Sequence, residues 1–122
     1  MGDGFRDLRV WQLAKELAVD IYRITESSPL SRDYGLRDQL RRAAVSIPSN
    51  IAEGDERDTN KDSVRFLYIA KGSLAELRTQ LEIARDVGSL SPEAHAQLEA
   101  RCSEIGRMLG ALIKVRSAPY HP

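Results

Sequence analysis

The side chains with the widest chemical reach in this sequence are few: two histidines, His95 and His121, and one cysteine, Cys102. A di-iron helical bundle needs Glu-x-x-His pairs backed by further inward carboxylates. The residues three before the histidines are Pro92 and Ala118, so neither completes such a pair. One thiol without a ligand cluster does not make a structural metal site either. Ser46 and Ser49 have no histidine near them in sequence, and neither a Gly-x-Ser-x-Gly elbow nor a phosphate-cradling glycine loop is present. Cys102 falls on an apolar repeat, where a thiol acts as a small buried hydrophobe. The reading is a non-enzymatic protein with no catalytic residue, no metal and no cofactor.

Two other constellations remain. Ser46, Pro48, Ser49 and Asn50 form a polar edge beside a proline, able to hydrogen-bond across a helix or subunit interface. The alternative is that Ser46 bonds back within its own helix and Asn50 faces water. Basic residues cluster at Arg37, Arg41 and Arg42, and again at Arg107, Lys114 and Arg116. Either cluster could contact phosphates. Equally, Asp33 and Asp38 lie near the first, and cations at a helix C-terminus stabilise its dipole. Trp11, Tyr22, Tyr34, Phe66 and Tyr68 could stack on bases or fill a core or subunit interface.

Four helices would position these groups. Tyr34–Gly54 carries the apolar stripe Leu36, Leu40, Ala43/Ala44, Ile47 and Ile51, with Gln39, Arg42, Ser46, Asn50 and Glu53 beside it. Pro48 donates no hydrogen bond to the Ala44 carbonyl, so a kink is expected there. A helix before it is capped by Asp7 and runs to about Glu26, with its seam at Trp11, Ala14, Leu17/Ala18, Ile21 and Ile24/Thr25, and Ser27-Ser28-Pro29 stops it. The third starts at a Thr59 cap and runs to about Val87, before Gly88, with the heptad seam Leu67, Ala70, Leu74, Leu77, Leu81 and Ala84. Gly72 within it is expected to permit close helix approach. Phe66 and Ile69 fall off that seam, a second apolar face suited to oligomerisation. Ser91-Pro92-Glu93 opens a fourth, which carries Leu98, Cys102, Ile105, Leu109 and Leu112 to roughly Arg116. Short connections favour antiparallel neighbours, so the expected fold is an all-α, up-down-up-down four-helix bundle over residues 5–117, with a tail at 118–122.

A chain of 122 residues with 42% hydrophobic and 30% charged side chains suits one globular domain. Its 18 basic and 18 acidic residues give a formal net charge of zero, where a nucleic-acid binder usually carries a basic excess. A lone cysteine fits a reducing compartment, and no apolar run reaches the length of a membrane span. The expected location is cytoplasmic.

The segments Tyr34-Gly35-Leu36-Arg37 and Gln39 to Gly54, QLRRAAVSIPSNIAEG, together with Phe5 to Trp11, Arg65 to Ala70 and Gly72 to Leu77, resemble the bacterial four-helix-bundle family that includes the proteins encoded in intervening sequences of large-subunit ribosomal RNA genes. The resemblance implies an up-and-down four-helix protomer assembling into a ring-like homopentamer. It implies a distant relation to the accessory protein of diversity-generating retroelements, which binds nucleic acid and a reverse transcriptase, and no settled activity for the family itself. The leading expectation is a self-assembling interaction scaffold for another macromolecule. The alternative is direct binding of structured RNA, or of DNA, through the two basic clusters.

Overall fold

The computed structural model describes residues 2–27 and 29–119. Ser28, placed in the stop of the first helix, and Tyr120, His121 and Pro122 of the expected tail lie outside the described residues. Four helices, α1 (Arg9–Thr25), α2 (Tyr34–Asp55), α3 (Asn60–Asp86) and α4 (Pro92–Ser117), make an all-α fold without strands among the described residues.

Three of the helix starts follow from side chains that accept the orphan amides of the first turn. Asp33 accepts from the Leu36 amide at 3.2 Å, Thr59 from Asp62 at 3.2 Å, and Ser91 from Ala94 at 3.1 Å. The first start differs from expectation. Asp7 ends a 3-10 turn at Gly4–Asp7 instead of capping α1, and its carboxylate accepts from the Asp3 amide at 2.8 Å. Gly4, with φ at +63°, admits this reversal of the chain. α1 therefore begins at Arg9 behind an extended Leu8. A second 3-10 turn, Leu30–Arg32, leads into Asp33 and buries Leu30. α3 stops before Gly88, whose φ of +83° suits the residue just past a helix end.

Cross-helix side-chain bonds define the neighbours. Gln80 Nε2 donates to Gln39 Oε1 at 3.4 Å and the Ser46 and Ser73 hydroxyls meet at 2.7 Å, so rising numbers on α2 face falling numbers on α3. The Arg78–Glu99 and Arg85–His95 pairs repeat the pattern between α3 and α4. Arg101 donates to Asp20 at 2.7 Å and links α4 to α1, and Arg41 donates to Thr25 at 2.8 Å and links α2 to α1.

The heptad seam of α3 is buried from Leu67 to Ala84. On α2, Leu40, Ala43, Ala44, Ile47 and Ile51 are buried and Leu36 is half-buried. The helix runs unbroken through Pro48, whose ring is buried. Three positions depart from what the spacing predicts. Val10 joins the α1 core while Trp11 is only partly buried. On α4 the last buried position is Ile113, with Leu112 at its edge. The third is a glycine: a Cβ on Gly72 would touch nothing within 4 Å, whereas one on Gly54 would sit 3.0 Å from the Ser63 carbonyl and 3.2 Å from Phe66 Cβ. The close approach of α2 and α3 is therefore made at Gly54, which lies inside α2 and does not end it.

Candidate functional site

The polar edge of α2 divides between two sides of the helix. Ser46 reaches α3 through Ser73, which is buried, and Asn50 Nδ2 donates to the Ser46 carbonyl at 2.8 Å and to its hydroxyl at 3.0 Å. Asn50 thus bonds within its own helix and supports a hydroxyl that bonds outside it. Pro48 and Ser49 turn the other way, into an apolar groove shared with Ala18, Val19 and Tyr22 of α1 and with Val45. Phe66 is half-buried beneath the Arg57 and Arg65 guanidinium groups, 4.4 and 4.8 Å from its ring, while Ile69 stays 44% exposed.

The basic residues separate by how far their charge is already engaged. Arg37 pairs with Asp38 at 3.0 Å, donates to the Ser31 carbonyl at 3.3 Å and lies 4.8 Å over Tyr34. Arg41 is tied to Thr25 and lies 4.5 Å over Tyr22. Arg116 donates to Asp55 and to Ser63 at 2.7 Å each, in an ion pair whose two side chains are both only 19% exposed. Arg42, Arg107 and Lys114 are exposed and form no hydrogen bond or ion pair among the described residues. Placement explains the split: Arg42 and Arg107 carry the same five-donor fork as Arg37, Arg41 and Arg116 but stand where no carboxylate or carbonyl of the described residues reaches them. Lys71 and Arg78 of α3, which sequence reading passed over, share a groove with Arg107. Their spacing of seven on one helix face was the available signal.

Cys102 is fully buried, and its thiol is pushed up to about 11, first by burial and second by the nearby Glu99 carboxylate. A neutral, enclosed thiol is a poor nucleophile. His95 is buried with Nδ1 3.3 Å from an Arg85 nitrogen. A guanidinium can only donate, so Nδ1 accepts and the ring proton sits on Nε2, which has no partner among the described residues. Among the described residues no three histidines, cysteines or carboxylates come together to hold a metal ion, and no helix is long and apolar enough to cross a membrane.

Fold and surface together define a four-helix bundle whose polar groups are spread along helix faces. The match of its sequence over residues 6–111 places the chain in the 23S rRNA-intervening sequence protein family. The backbone is similar to the crystal structure of a protein of unknown function from the S23 ribosomal protein family of Bacteroides thetaiotaomicron, at a TM-score of 0.80 and 24% identity over 86% of this chain and 98% of that one. At that identity the likeness shows the fold. No curated protein matches the chain.

Proposed function

We propose that the protein is a non-enzymatic, cytoplasmic scaffold that assembles into a ring-like homopentamer and presents the outside of its bundle to a macromolecular partner. One observation carries this reading: two unlike apolar grooves open on the two sides of α1. The first, between α1 and α2, is lined by Ala18, Val19, Tyr22, Val45 and Pro48. The second, between α1 and α4, is lined by Leu8, Val10, Met108, Ala111 and Val115, the last 71% exposed. Closed rings of more than two copies are built from two different surfaces meeting head to tail, and contiguous exposed apolar surface of this kind marks interaction sites. The resemblance to ring-forming relatives supports the number five. The buried thiol of Cys102 supports a non-catalytic role, and a cysteine with no disulfide partner suits a reducing compartment.

Light scattering on the purified chain tests the assembly. The expected mass is five times the 13.6 kDa protomer. Val19→Glu combined with Val45→Glu should return the protomer mass with the helical circular-dichroism signal intact. A wild-type mass of one protomer at every concentration would remove the scaffold reading.

A further inference from the structure

We infer that the groove between α3 and α4 binds the phosphodiester backbone of a single-stranded nucleic acid. Lys71 and Arg78 on α3 and Arg107 on α4 line it, with Ser103 and Gly106 between them. Lys114 follows Arg107 by seven residues and so shares its face of the helix. Lys71, Arg107 and Lys114 are exposed and form no hydrogen bond or ion pair with any described residue. Glu99, the carboxylate beside the groove, is gripped by the Arg78 guanidinium through both of its oxygens. Glu104, one turn before Arg107, shares its stripe with Met108 and Ala111, which face α1. A locally basic strip therefore stands on a chain of zero formal net charge.

The lining selects among polyanions. A protein partner draws its affinity from aromatic or aliphatic anchors seated in pockets, and between its cations this groove offers Ser103, Gly106, Ala75 and Leu74, the last buried in the core and only grazing the floor. A phosphate backbone needs only spaced positive charge and room for close approach. Gly106 keeps the floor low, since a Cβ there would stand 3.4 Å from Leu74 Cδ2. Tyr68, one turn before Lys71 and 56% exposed, offers a ring on which an unpaired base can stack. The groove shares no lining residue with the two apolar grooves beside α1, so the inference does not depend on the ring.

Fluorescence anisotropy with labelled oligouridine and oligothymidine across a salt series tests the assignment. Three neutralised phosphates give a log–log salt slope of about −2 on a single strand. Lys71→Ala with Arg107→Ala should weaken binding at least ~10-fold and reduce the slope to about −0.7, because one contact remains. Tyr68→Ala should weaken binding about tenfold and leave the slope alone. Lys15→Ala, a matched charge removal on α1, should leave affinity unchanged. Equal affinity for the two oligonucleotides supports recognition by backbone and stacking alone, and a preference for oligouridine adds a 2′-hydroxyl contact to the same site. Absence of binding at the lowest salt, equal losses from the Lys15 variant, or equal competition by polyglutamate would each overturn the proposal.

Discussion

The hydroxyls of Ser46 and Ser73 meet at 2.7 Å between α2 and α3, and the Asn50 amide holds the first of them at 3.0 Å. Ser73→Ala leaves Ser46 still served by Asn50 and should cost about 0.5–1.5 kcal/mol in denaturant unfolding. Ser46→Ala leaves the buried Ser73 hydroxyl unpaired, while Asn50 keeps the carbonyl of residue 46, and should cost more, about 1–3 kcal/mol. The double variant should cost less than the two singles combined, because the second change removes a group already unpaired. Strictly additive losses would show that the two hydroxyls do not interact.

Arg116 bridges Asp55 and Ser63, and removing it leaves a largely shielded carboxylate and a buried hydroxyl without their donor. Arg116→Ala should destabilise the fold by about 1.5–3 kcal/mol. Arg107→Ala, at an exposed and unengaged position, should stay within about 0.5 kcal/mol of wild type. A reversed order in thermal melts would mean that Arg116 is not tied to Asp55 in solution.

Two helical glycines should respond with opposite signs. Gly72 has open space beside it, so alanine should stabilise by about 0.5–1 kcal/mol through reduced chain entropy in the unfolded state. Gly54 abuts the Ser63 carbonyl and Phe66, and a methyl group there forces α2 from α3 at a cost of about 1–3 kcal/mol. A stabilising Gly54→Ala would show that the two helices can separate freely at this end.

Cys102 carries a raised thiol pKa in the folded chain, from 9.0 to about 11. The folded state therefore holds its proton more tightly than the unfolded chain. That contribution to stability is complete below about pH 9 and is lost as pH rises towards 11. The folded protein should resist thiol-modifying reagents at neutral pH and react fully in denaturant, and Cys102→Ala should flatten the alkaline decline in stability. Fast labelling of native protein would place the thiol at the surface.

Helix number and most of the core were legible along the chain, because burial on one face of a helix writes a period of 3.6 into the residues themselves. The stripe from Leu67 to Ala84 and the caps at Thr59 and Ser91 are local signals, set by backbone amides within three residues of the side chain. The family was legible for a related reason, since the central part of its signature, Gln39 to Gly54, is one continuous run of sequence. The first turn was not, because Asp7 could serve either as a cap or as the acceptor of a 3-10 turn.

The partnership of each polar group depended on tertiary structure. Arg116 looks like a free cation near a helix end until Asp55, 61 residues away in sequence, is brought beside it. Lys71 and Arg107 belong to different helices and become one basic groove only when α3 and α4 pack. Ser46 and Asn50 part from Pro48 and Ser49 because α3 and α1 lie on opposite sides of α2. Sequence alone determined the helices and their oily faces, since those follow from interactions a few residues long. Only the tertiary structure decided which charges are satisfied and which stay open to a partner, because electrostatic pairing depends on distances in space that the order of residues does not contain.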